Sequence, residues 1–192
     1  MKLLVCISKA PDTTAKIAFT DGNTKFDENG VQFIVNPYDE WYALVRALEL
    51  TETTGGTVTT ITVGTNSDDP TIRKALAIGA TDAVRIDAVP KDAYYVANQI
   101  ASYAKTNEYD IILTGKETIN YNGAQVGAMI AEILDQPFVS LATKLDIQGN
   151  AATLERDVSG GVEVVEVNTP FVLSAAKGMS EQRIPNMRGI MA

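Results

Sequence analysis

A chain of 192 residues can build one good core, or one core with a small appendage. Hydrophobic residues at 45% and charged residues at 21% describe a globular chain, and a net charge of −8 argues against a free-standing nucleic-acid binder. There is no histidine and one cysteine, Cys6, which removes Ser-His-Asp and Cys-His catalysis, His-based metal sites, disulfides and thiolate-held iron–sulfur clusters.

Met1-Lys2 leads straight into the strand-length apolar run Leu3–Ile7, with no small-residue cleavage site after it. Neither a signal peptide nor a membrane anchor is expected, and the implied compartment is the cytoplasm. Cys6 sits inside that run, where a lone cysteine serves as a small hydrophobe. A polar loop, Ser8–Asp12, follows. Lys16–Thr20, Asp21-Gly22 and Thr24–Phe26 read as a hairpin. Asn36-Pro37-Tyr38-Asp39-Glu40 reads as a helix start, with Asn36 as cap, Pro37 in the first helical position and two acids at the positive end. Trp41, Leu44, Val45 and Leu48 share one face of that helix, which stops near Gly55-Gly56.

Thr57–Val63 is rich in β-branched residues and reads as the second strand. Asp69-Pro70 opens another helix that Gly79 ends, and Ala83–Ile86 is the third strand. Asp92 begins a helix with Val96, Ile100 and Tyr103 inward. The stretch Asp110–Leu134 then opens with the buried-strand run Ile111–Leu113 and closes with Val126, Met129, Ile130, Ile133 and Leu134 on one helical face. The loop between them holds Gly115, Lys116, Asn120, Asn122, Gly123 and Gln125. A strand, a glycine-containing turn and a helix N-terminus make a natural anion site, although the spacing fits neither the dinucleotide fingerprint nor a P-loop. Many such loops bind nothing, so the residues alone leave both readings open. Phe138–Leu141 is the fifth strand.

Strands alternating with helices imply a doubly wound α/β fold with a five-stranded, mainly parallel sheet covered on both faces. Ligands in such sheets sit beyond the C-terminal strand ends where the strand order reverses, which brings Cys6–Lys9, Gly64–Thr65 and Gly115–Val126 around one crevice. After Leu141 the pattern alternates. Thr143–Ile147, Ala152–Val158 and Val162–Val167, separated by glycine turns, form an antiparallel meander, and Phe171–Ala175 adds a last strand. Residues 177–192 are methionine-rich and locally basic, which suits either an adaptable contact surface or an ordinary tail.

Taken together, LLVCISKAPD, NPYDE, TIRKALAIGATDAVRI, GKETINYNGAQVGAMIAEIL, ERDVSGGVEVVEVNTPFVLSA and RIPNMRGIM resemble, in order and spacing, the beta (small) subunit of electron transfer flavoproteins. The resemblance covers nearly the whole chain. It implies one nucleotide-binding domain over 1–192, with a parallel core over 3–142, an antiparallel extension over 143–176 and a partner-recognition segment over 177–192. It implies no enzyme activity but an electron carrier, paired as a heterodimer with an alpha subunit that holds most of an FAD. Electrons come from flavin dehydrogenases, such as the acyl-CoA dehydrogenases of fatty acid oxidation, and pass to a membrane quinone reductase. The beta subunit buries a structural AMP, and a bifurcating branch places a second FAD there. No nucleic acid and no direct membrane insertion enter the scheme. A stand-alone adenine-nucleotide sensor is the competing class.

Carried over by motif, the cofactor site comprises Cys6, Asn36, Pro37, Tyr38, Asp39, Val63, Gly115, Lys116, Glu117, Thr118, Ile119, Asn120, Tyr121, Asn122, Gly123, Ala124, Gln125 and Val126. Cys6 and Val63 are expected to offer backbone to the adenine, and 115–126 to hold phosphate and ribose. Asp39 serves either the nucleotide or its own helix dipole. Thr13 and Tyr38 fall where the family brings this subunit near the flavin. In the closing segment Ile184, Met187 and Ile190 are expected to enter a partner pocket while Arg183 and Arg188 steer. The match departs from the family at Asn120-Tyr121-Asn122, where relatives carry carboxylates. Tyr121 there either stacks on the pocket or blocks it. Relatives also continue past the closing motif into an arm around the alpha subunit; this sequence ends at Ala192, which leaves a fragment of a longer chain as an open reading.

Overall fold

The computed structural model describes residues 1–184. In chain order it runs β1 (Lys2–Cys6), β2 (Lys9–Pro11), β3 (Phe19–Thr20), β4 (Lys25–Phe26), β5 (Phe33–Val35), α1 (Asp39–Thr54), β6 (Thr57–Gly64), a 3-10 turn (Asn66–Asp68), α2 (Asp69–Ala77), β7 (Asp82–Asp87), α3 (Ala93–Asn107), β8 (Ile111–Gly115), α4 (Val126–Leu134), β9 (Phe138–Gln148), β10 (Ala151–Val158), β11 (Gly161–Asn168) and β12 (Phe171–Ala175). One eight-stranded sheet has the order β11-β10-β9-β12-β8-β1-β6-β7. From β9 to β7 every neighbouring pair is parallel, and the remaining two pairs are antiparallel.

Alternation along the central strands divides the core. Leu3, Val5 and Ile7 face α1 and α2, meeting Leu44, Leu48, Ala75 and Ile78. Leu4 and Cys6 face the opposite layer, meeting Ala97, Ile100 and Ala104 of α3 and Ile130 and Ala131 of α4. The period of two sends successive side chains to opposite faces, so a run with no polar residue is what a strand covered twice requires. This is the doubly wound α/β arrangement that the residue pattern predicts.

The structure departs from expectation in three local features. Phe171–Ala175, grouped with the antiparallel extension over 143–176, is instead inserted between β8 and β9 and runs parallel to both. All five of its residues are buried, which is the signature of a central strand rather than of a meander. Phe138–Leu141 and Thr143–Ile147 form one bent strand. Its first part pairs with β12 and its second with β10, and Leu141 has a positive φ of 56° at the junction. Finally, the polar loop Ser8–Asp12 contains β2, which pairs antiparallel with β5 and clips the 12–32 excursion against the body. The hairpin in that excursion forms as β3 and β4.

Candidate functional site

β1 lies between β6 and β8, and the chain winds from β1 to β6 and β7 on one side before returning to β8 on the other. The strand order therefore reverses between β1 and β8, where ligands of open parallel sheets gather beyond the carboxyl ends. Gly115 closes β8 at that edge. A Cβ there would lie 2.7 Å from the Glu40 backbone nitrogen and 2.8 Å from its Cγ, so only glycine lets the start of α1 rest on the strand end. Gly127 plays the same part for α4, since a Cβ would stand 2.6 Å from Thr114 Oγ1.

Asn36 is not the helix cap. α1 begins at Asp39 after Tyr38, which has φ 68° and no capping side-chain bond. The Asn36 amide is buried and fully engaged elsewhere. Its Nδ2 donates to Ser8 Oγ (3.1 Å) and to Asn120 Oδ1 (3.0 Å), while its Oδ1 accepts the Ile119 N–H at 2.9 Å. A fully buried amide satisfies itself in the protein first, and these partners outbid the helix end. Ser8 in turn donates to Glu40, from its backbone N–H to Oε2 at 2.6 Å and from its hydroxyl at 3.0 and 3.1 Å. Burial pushes the Glu40 carboxyl up to about 8, against the lowering effect of the Ser8 donors. Burial also raises Asp39, which Lys116, 4.0 Å away, partly offsets.

Two openings adjoin these residues. A cleft of about 230 Å³ is lined by Pro37, Tyr38, Asp39, Lys116, Glu117, Ile119 and Asn122, with Tyr42 and Lys177. A larger groove of about 810 Å³ shares Pro37, Tyr38, Tyr42 and Lys177 and adds Thr13, Trp41, Lys74 and Gly178 among others. The two segments Asn36–Asp39 and Gly115–Asn122, distant in sequence, thus meet at one place. Thr118, Gly115 and Asn120 support it without lining it.

The remaining expected residues are placed differently. Cys6 and Val63 turn their side chains into the core beside α3 and α4, leaving only backbone at the strand ends. Burial, with Glu40 nearby, holds the Cys6 thiol far above its ordinary range, so it is an inert hydrophobe. Gly123, Ala124 and Gln125 are exposed, and Val126 opens α4. Asn122 and Ala124 have positive φ values of 49° and 52°. Gln125 offers no side-chain cap to α4, which leaves the first N–H groups of that helix for another partner. Tyr121 is 80% exposed and does not line the cleft, so it does not block it. The sequence reading brought Ser8 to the crevice only within Cys6–Lys9, with no role of its own, and gave Glu40 none beyond the helix dipole. Their signal was position alone, one after the end of the first strand and the other within NPYDE. Lys177 carried none.

The family model for the electron transfer flavoprotein domain matches residues 23–192. The chain is 39% identical to the electron transfer flavoprotein subunit beta of Bacillus subtilis, an alignment covering 100% of this chain and 75% of that protein. It is 35% identical to the subunit of the same name from Thermoanaerobacterium thermosaccharolyticum, covering 99% and 74%. Protein FixA of Azotobacter vinelandii is 32% identical over 97% of this chain and 69% of its own length. The chain belongs to the electron transfer flavoprotein family. Its role is therefore electron transfer.

Within this electron transfer flavoprotein domain, the residues expected to meet partners divide. Ile184 is 84% exposed. Arg183 is instead tied to α1, donating to Glu52 Oε1 at 2.6 Å. Met187, Arg188 and Ile190 lie outside the described residues. No helix among the described residues is long and apolar enough to cross a membrane.

Proposed function

We propose that the chain is the beta subunit of a heterodimeric electron transfer flavoprotein that holds a structural AMP between Asn36–Asp39 and Gly115–Val126. An alpha subunit carries most of the FAD. The pair takes electrons from flavin dehydrogenases, such as acyl-CoA dehydrogenases, and delivers them to a membrane quinone reductase, from a cytoplasmic location. The observation that carries the nucleotide assignment is the meeting of those two segments at the point where the strand order reverses. Lys177 and the uncapped start of α4 supply positive potential for a phosphate, while Lys116 is paired with Glu117 at 3.2 Å and Asp39 at 4.0 Å. The cleft alone is smaller than the roughly 300–1,000 Å³ of ordinary ligand pockets. Closure of the exposed Asn120–Gln125 segment over the ligand completes it.

A second FAD in place of AMP is the alternative, and one feature favours it. The cleft and the larger groove share Pro37, Tyr38, Tyr42 and Lys177, so together they offer room for a ligand longer than a mononucleotide. Co-expression with an alpha subunit tests the main reading. The pair should retain one FAD and be reduced by an acyl-CoA dehydrogenase with its substrate, whereas the isolated chain should hold no flavin. Flavin on the isolated chain would transfer the assignment to the bifurcating type.

A further inference from the structure

We propose that Glu40 and Ser8 are positioning residues for nucleotide binding: acting through Asn36, they fix the shape of the Ile119–Asn120 turn, and ionised Glu40 is the form that holds it. The inference rests on the nucleotide reading above. It starts from a count of hydrogens. Ser8 has one hydroxyl proton and two lone pairs, Asn36 has two amide protons, and a carboxylate only accepts. With Glu40 ionised, every position is satisfied. Ser8 N–H and O–H point to Glu40, Ser8 Oγ accepts from Asn36, and Asn36 Nδ2 has its second proton for Asn120. Asn36 Oδ1 is then turned to the Ile119 N–H.

A protonated Glu40 adds one donor to this row. If it donates to Ser8 Oγ, the serine proton is left either the other carboxyl oxygen, in a strained cyclic pair with the acid proton, or a new acceptor. Turning the Asn36 amide around would offer its Oδ1 as that acceptor, but would aim its NH₂ at the Ile119 N–H, donor against donor. The polarity of the row is thus set at Glu40 and read out at the turn, 83 residues along the chain from Asn36. The titratable and charged groups around Glu40 are Cys6 on β1 and Asp39 on α1, with Lys116 and Glu117 reaching Asp39 from the segment after β8. Because burial brings the Glu40 carboxyl to about 8, the row changes state within a range where the protein can be handled.

The test is AMP titration of the full chain, stripped of nucleotide, from pH 7 to 9.5, above the range (about 6) in which a phosphate takes up its second proton. Wild type should bind more tightly as pH rises. Glu40→Gln should bind about tenfold more weakly at the alkaline end, the worth of one hydrogen bond to a charged group, and show no pH dependence. Ser8→Ala should lose the pH dependence, and Ser8→Thr, which keeps the hydroxyl, should restore it. Hydrogen exchange at the Ile119 amide should quicken in Glu40→Gln and Ser8→Ala while the core strands stay protected, which separates loop release from unfolding. Wild-type profiles in both variants, or affinity that falls with pH through repulsion of the phosphate by ionised Glu40, would overturn the inference. Wild type that takes up no adenine nucleotide at any pH would overturn the nucleotide reading itself, and the inference with it.

Discussion

Asn36 Oδ1 accepts the backbone N–H of Ile119 at 2.9 Å, although 83 residues separate the two in sequence. This bond joins the entrance of α1 to the segment that follows β8, the two stretches that form the cleft. Replacing Asn36 with Ala removes both donors and the acceptor and leaves the Ile119 N–H without its protein partner. The expected cost is about 1–3 kcal/mol of stability, measured by denaturant unfolding. Retained AMP should fall with it. An unchanged unfolding midpoint would show that water replaces the amide at no cost.

Gly115→Ala tests the close approach at the strand end. The added methyl meets the backbone of α1, not the tip of a flexible side chain, so helix and strand must separate. Overpacking of this kind costs about 1–3 kcal/mol, read as a lowered Tm. The substitution should also weaken nucleotide binding, since Lys116 and Asp39 flank the displaced contact.

Glu40 should make stability depend on pH. Its folded value of about 8 lies above the ordinary 4.5, so the folded chain holds a proton that the unfolded chain releases. Its contribution is complete below the lower value and is lost as pH rises through the upper one, with a slope of at most about 1.4 kcal/mol per pH unit. Glu40→Gln should flatten this slope and be more stable than wild type at pH 9. Stability and nucleotide affinity then run in opposite directions with pH, a combination that general alkaline denaturation does not produce.

If the closing segment is the partner-recognition surface that the resemblance implies, Ile184→Ala should slow electron transfer from dehydrogenases and leave the bound nucleotide unchanged, because the side chain is exposed. Steady-state reduction and nucleotide content of the same preparation decide this. Arg183→Ala should cost no more than about 1 kcal/mol, as expected for its surface pairing with Glu52. A loss of AMP in Ile184→Ala would refute the separation of the two functions.

The parts of the fold that repeat in sequence were legible. The apolar runs at Leu3–Ile7 and Ile111–Leu113, and Asp92 as a cap accepting the Tyr95 N–H at 2.7 Å, form as the local patterns require. What stayed hidden depended on long-range pairing. Nothing local distinguishes Phe171–Ala175 at the end of a meander from the same five residues inserted between β8 and β9, apart from the lack of alternation. Asn36 misled for a related reason. Asn before Pro carries the local signal of a cap, but burial beside Ser8 and Asn120 gave its amide stronger partners than the helix end. The cleft was legible as two segments, with Ser8 near it, but the roles of Ser8 and Glu40 were not, because they exist only once β1, α1 and the 116–122 segment are packed together.

The central claim is that this chain itself holds an adenine mononucleotide. The direct measurement is to purify the full chain gently, denature it, and identify the released small molecule by chromatography and absorbance. AMP in near-equal amount to protein, with no flavin, is the predicted result. Flavin released from the isolated chain, or no adenine nucleotide even after co-purification with an alpha subunit, would contradict it.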